Sequence, residues 1–125
     1  AKCERTVRAS LKQCRRIFEP TVYNLCSVAA IADITSRYKT KILLTPDATV
    51  GIGEMLENQR PVDSLSVCVA IGPEGGFDRV EQEAFMTMGF ECMRFSDTIL
   101  HSETAVVSAL SLVRFGLTAP HEKGR

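Results

Sequence analysis

Neither sign of charge is in excess: fifteen Lys plus Arg stand against fifteen Asp plus Glu, for a formal net charge of zero. No overall basic field therefore advertises nucleic acid, and any such contact has to come from a local patch. Cysteine pairs are also lacking. Cys3, Cys14, Cys26, Cys68 and Cys92 are odd in number and widely spaced, so no C-x-x-C metal or redox pair exists, and the pattern reads as reduced thiols of a cytoplasmic or organellar-matrix protein. Long apolar runs are missing too. Stretches such as Val67 to Ile71 are far too short to cross a bilayer, and no basic segment followed by an apolar one opens the chain as a signal peptide would. There is no internal repeat and no low-complexity tract. What is present, 45% hydrophobic and 24% charged residues in 125, suits one globular domain with a real core and excludes disorder, collagen and coiled coil.

Along the chain, Cys3, Val7, Leu11, Cys14 and Phe18 recur at helical spacing, with Arg5, Arg8, Lys12, Arg15 and Arg16 on the opposite side. Pro20 closes this helix. Ser27 is placed to cap a second one carrying Val28, Ile31, Ala32 and Ile34 toward Tyr38, and Ile42-Leu43-Leu44 makes a short strand. Pro46, Gly51, Gly53 and Pro61 make residues 46 to 64 a loop with at most one helical turn around Met55. Val67-Cys68-Val69-Ala70-Ile71 reads as a parallel strand buried on both faces. After a glycine-rich turn, Asp78 and Glu81 form an acidic capping box for a helix whose buried stripe is Val80, Ala84, Phe85 and Met88, ended by Gly89. Residues 90 to 95 suit one more strand. Ser102 can cap a last helix through Ala105, Val106, Ala109, Leu110, Leu112 and Val113, apolar almost all round. The order predicts an α/β fold with a parallel sheet and flanking helices.

Gly72-Pro73-Glu74-Gly75-Gly76 joins a strand to a helix start, where open α/β sheets place ligands. It is neither a Walker A loop nor G-x-G-x-x-G, and a carboxylate at Glu74 opposes a polyphosphate. The turn favours a ligand that is uncharged or cationic, with glycines permitting close backbone approach; a plain turn without ligand is the simpler alternative. His101-Ser102-Glu103 lacks the P-C-x-x-C partner of a zinc deaminase, so no metal is expected. Ser102 and Glu103 are explained equally well as a helix cap and a first-turn carboxylate. No G-x-S-x-G supports a hydrolase.

V-A-I-G-P-E-G-G-F at 69 to 77, Glu81, Gly89-Phe90 and I-L-H-S-E-T-A at 99 to 105 closely resemble the RsmE-type branch of the SPOUT methyltransferases. E-R-T-V-R-A-S-L-K-Q-C at 4 to 14 and L-L-T-P at 43 to 46 extend the resemblance over nearly the whole chain. It implies methylation of N3 of a uridine in small-subunit ribosomal RNA, with S-adenosyl-L-methionine as methyl donor. It also implies a homodimer and a C-terminal trefoil knot, a feature no periodicity would suggest. The cofactor would be held by Leu44, Thr45 and Pro46, by Ile71, Gly72, Pro73, Glu74, Gly75 and Gly76, and by Phe95, Ser96, Ile99, Leu100, His101, Thr104 and Ala105. A sulfonium suits the turn with Glu74 better than a phosphate does.

The family's third loop usually reads L-G-x-R-I-L-R-T-E-T-A. Here the glycine is Ser96 and the two arginines are Thr98 and His101, and neither replaces a fixed charge. His101 is the candidate catalytic base, since imidazole exchanges protons near neutral pH; it serves equally as a stand-in for a positioning arginine. Relatives carry an N-terminal RNA-binding barrel and a first strand and helix of the knotted domain, and residues 1–125 are expected to be a SPOUT domain truncated at that end. The basic side of the first helix is the candidate RNA contact, its alternative being an ordinary solvated face. The lost arginines keep open a non-catalytic RNA- or ribosome-binding module that retains the cofactor pocket. A nucleotide switch is disfavoured by the missing P-loop lysine.

Overall fold

The computed structural model describes residues 4–5, 8–9, 21–58, 66–95 and 101–118. Its elements are α1 (Ile31–Thr35), β1 (Thr40–Leu44), α2 (Ile52–Asn58), β2 (Val67–Ile71), α3 (Arg79–Thr87), β3 (Glu91–Met93) and α4 (Ser102–Thr118). The strands form a parallel sheet in the order β2-β1-β3, with Leu44 opposite both Ile71 and Met93. Side chains alternate across a strand, so β1 feeds two cores. Ile42 packs with Ile52, Met55, Met93 and Val113 under α2 and α4. Leu43 packs on the other face with Phe85 and Phe90, joined by Val28, Ile31 and Phe77. The architecture is therefore helices on both faces of a parallel sheet, as the alternation of elements predicts. Among the described residues no helix is long and apolar enough to cross a membrane.

Several expectations need correction. Residues 46 to 64 contain α2, a helix of seven residues rather than one turn, and its Ile52 and Met55 are buried core. Burial of two side chains at i and i+3 outweighs the helix-breaking effect of the glycines at 51 and 53. The second helix is shorter than expected. Ser27 only closes a turn, accepting the Ala30 N–H at its hydroxyl at 3.3 Å, and α1 ends at Thr35. There Thr35 donates its hydroxyl to the Ile31 carbonyl and Ser36 donates to that of Asp33, side-chain bonds that compete with continued helix. β2 is half-buried along its whole length because it is an edge of the described sheet, whereas the fully buried strand residues are Ile42 and Leu43 of β1. Val80 is 76% exposed and no part of the α3 stripe, leaving Phe85 as its buried anchor.

The capping box of α3 forms as predicted. The Glu81 N–H donates to the Asp78 carboxylate at 2.8 Å, and the Asp78 N–H donates back to Glu81 at 2.9 Å. At the other end Gly89 takes φ +91°, and the Lys41 ammonium reaches over from β1 to the Met88 carbonyl at 2.9 Å. A cation at a helix C-terminus satisfies a carbonyl and complements the dipole. Lys41→Met keeps the stem and removes the donor, and we expect it to cost about 1–2 kcal/mol, measured as a lower urea midpoint with an unchanged slope. A midpoint equal to that of the parent would dismiss this cap. Lys41 lies opposite Cys68 in the register, and burial pushes the Cys68 thiol up despite the opposing pull of that ammonium.

Candidate functional site

Because Leu44 is in register with both Ile71 and Met93, the three strands end side by side. Neighbouring strands lie about 4.8 Å apart, so Thr45, Gly72 and Arg94 leave the sheet at one carboxyl edge, the place where parallel sheets hold ligands. The loops there are tied together. The Thr45 N–H donates to the Met93 carbonyl at 3.0 Å, the Arg94 N–H donates to Val50 at 2.7 Å, and the Ile52 N–H donates to Arg94 at 2.9 Å. The segment before α2 thus lies beside the chain just after β3, with Gly51 bridged in parallel to Arg94.

The glycine turn is held at both ends. Its Gly76 N–H donates to the Pro73 carbonyl at 2.8 Å, with Gly76 at φ +71°, a conformation suited to glycine. Gln82 donates from Nε2 to the Phe77 carbonyl at 3.0 Å. The Phe77 ring packs at 5.0 Å and a 59° tilt against Phe85, which meets Phe90 edge-on at 5.0 Å, so the turn is rooted in the core by three rings. Space around Gly72 and Gly75 differs. A Cβ at Gly72 would lie 3.2 Å from the Gly76 carbonyl carbon and from the Phe77 ring, while one at Gly75 would meet nothing within 4 Å. Gly72 is therefore needed for the turn to close, and Gly75 is needed only if something else approaches. Among the described residues the Glu74 and Gly75 N–H groups have no protein partner. Two exposed amide donors beside a free carboxylate form a donor set for a polar, partly cationic small molecule.

Of the residues named from the sequence, Leu44, Thr45, Pro46, Ile71 to Gly76 and Phe95 share this edge, with Thr45 buried and Phe95 half-buried. Ser96, Ile99, Leu100 and Thr98 lie outside the described residues. α4 starts beside the turn: the Ala105 N–H donates to the His101 carbonyl at 2.9 Å, and His101 and Thr104 are exposed while Ala105 is half-buried. Ser102 is not the cap of α4. It is the first residue of the helix, and its hydroxyl donates to the Gly72 carbonyl at 2.9 Å. This contact was not legible, since it joins positions 30 apart. Arg5 and Arg8 are helical and exposed, and Lys12, Arg15 and Arg16 lie outside the described residues. Among the described residues no three His, Cys, Asp or Glu side chains are grouped to hold a metal.

Residues 1–114 match the model of a family described as RNA methyltransferase domain. Ribosomal RNA small subunit methyltransferase E of Buchnera aphidicola is 34% identical over 115 residues, covering 90% of this chain and 45% of that protein. The chain thus spans less than half the length of this relative. Two solved structures share the fold. One is a Legionella pneumophila protein described as a methyltransferase and solved with the bound cofactor SAM, with a TM-score of 0.76 at 24% identity over 89% of this chain and 43% of that one. The other is Ribosomal RNA small subunit methyltransferase E of Neisseria gonorrhoeae bound to S-adenosyl methionine, with a TM-score of 0.73 at 21% identity over 90% and 44%.

Proposed function

The chain belongs to the RNA methyltransferase domain family, and from that premise we propose that it is a SPOUT domain using S-adenosyl-L-methionine to methylate N3 of a uridine in small-subunit ribosomal RNA. The observation that carries the reading is the glycine turn at the carboxyl edge, with the Glu74 and Gly75 amides that no described residue accepts from, the open space at Gly75 and the Glu74 carboxylate. When bound, the cofactor supplies a methyl group on a sulfonium for in-line transfer. The remaining work falls to this chain and is mostly positioning. Backbone groups of Gly72 to Gly76 would hold the ligand, Leu44 to Pro46 would form a second wall, and Phe95 to Ala105, including Ser96, Ile99 and Leu100, a third. Glu74 would favour positive charge, and His101, which is exposed, would take a proton or orient the base. The C-terminal helix would pass through a loop to form the trefoil knot. Arg5, Arg8, Lys12, Arg15 and Arg16 would add local RNA affinity in the cytoplasm or an organellar matrix.

Methyl transfer from labelled S-adenosyl-L-methionine to small-subunit RNA tests the activity. We expect label on a uridine at N3, read as a reverse-transcription stop because that position pairs. Label at another atom would overturn the reaction. The arginines replaced by Thr98 and His101 favour a second reading, a module that binds RNA and cofactor without turnover. For that reading the same assay gives no label while cofactor binding persists.

We infer a homodimer from the apolar strip on α4. Ala109 and Val113 face the core, but Val106, Val107 and Leu110, the last lying four and three residues beyond the two valines, are 39%, 66% and 59% exposed. Such a strip costs free energy in water at about 25 cal/mol per Å², and a second copy would cover it. Leu110→Asp is expected to convert a dimer to a monomer in sedimentation equilibrium at micromolar concentration. A parent chain that is itself a well-behaved monomer would refute this assembly.

A further inference from the structure

The anchors of the glycine turn differ in origin. Pro73, Gln82 and the Asp78–Glu81 box belong to the same strand, turn and helix as the turn itself. The Ser102 hydroxyl comes from α4 and takes the Gly72 carbonyl at 2.9 Å in a half-buried contact. Its target matters because the peptide that carries this carbonyl is planar, and the residue after it is a proline with a fixed φ and no N–H. Fixing the Gly72 oxygen therefore fixes the plane from which Pro73 leaves and narrows the directions open to the Glu74 and Gly75 N–H groups that follow.

We propose that Ser102 is a positioning residue for the cofactor site, its hydroxyl locking the glycine turn to the start of α4 so that two walls of the site keep one register. This rests on the methyltransferase reading only for the identity of the ligand. The lock itself is a property of the free protein. Without the hydroxyl, the Gly72 carbonyl loses its α4 partner and the turn gains freedom that binding would then have to remove. That weakens binding through the turn rather than through a contact of the Ser102 hydroxyl, which is spent on the Gly72 carbonyl, with the ligand. A threonine keeps the donor and adds only a methyl group.

Ser102→Ala and Ser102→Thr decide it in the full 125-residue chain. Amide hydrogen exchange without ligand should quicken about tenfold in Ser102→Ala at Gly76, whose N–H is tied to the Pro73 carbonyl, and the Kd for S-adenosyl-L-methionine should rise about tenfold. Exchange in β1 should stay as in the parent, and Ser102→Thr should restore both values. Unchanged exchange in the turn would overturn the proposal. So would faster exchange throughout β1 and α4, which would mark a general loss of stability. If the parent chain fails to bind S-adenosyl-L-methionine, the functional reading falls, and turn exchange in the two variants still decides the lock.

Discussion

Gly75→Val is expected to remove S-adenosyl-L-methionine binding while leaving the domain folded. The prediction rests on the difference between two glycines three residues apart. At Gly75 a new Cβ meets nothing within 4 Å, and the backbone there does not adopt the positive φ found at Gly76, so valine causes no clash within the described residues. Its two methyl groups would instead occupy the space into which a ligand must come to reach the Glu74 and Gly75 amides. We expect the Kd to rise by roughly 100-fold, or about 2.8 kcal/mol at 1.4 kcal/mol per decade, with the thermal midpoint within a few degrees of the parent. Gly72→Val is expected to behave differently, because its Cβ at 3.2 Å from the Gly76 backbone and the Phe77 ring requires both to shift, lowering stability and affinity together. Calorimetric titration beside a thermal scan separates the two variants. Full affinity in Gly75→Val would move the ligand elsewhere.

Phe85→Ala should have the largest effect on stability. Phe85 is 2% exposed, lies on Leu43 at the centre of one core face, and is the middle ring of the Phe77, Phe85 and Phe90 series. Phenylalanine to alanine in such a place costs about 3–5 kcal/mol through lost transfer energy and the cavity left behind, a large part of the 5–15 kcal/mol typical of a domain. Phe77 would lose its support at the same time, so cofactor affinity should fall in the fraction that remains folded. Urea unfolding monitored by circular dichroism measures the first effect. A loss below about 1 kcal/mol would mean that the core closes over the gap and that the ring series does not root the turn.

Most of the element order was readable because local signals carried it. The Asp78–Glu81 box, Gly89 after α3 and the turn after Ile71 each depend on a few neighbouring residues. What was hidden depends on contacts between distant segments. Ile52 and Met55 give only one i, i+3 pair, too little periodicity to announce α2 among glycines, and they become helical core only because Ile42, Met93 and Val113 cover them. β2 has the more apolar sequence but lies at an edge, while β1, which carries a lysine, is central because it pairs on both sides. Val80 had the right spacing for burial and the wrong direction. The site was legible through its glycines and through a family resemblance, and the Ser102 contact was not, because serine at a helix start is ordinarily a cap.

Backbone amide chemical shifts followed during a titration with S-adenosyl-L-methionine test the account most directly, since the ligand, its stoichiometry and its place in the fold are read together. The account predicts saturable shifts, one ligand per chain, concentrated at Thr45, at Gly72 and Glu74 to Gly76, and at His101 to Ala105, with the amino ends of β1 and β2 unmoved. Shifts centred at those amino ends, or none at millimolar ligand in a folded chain, would contradict it.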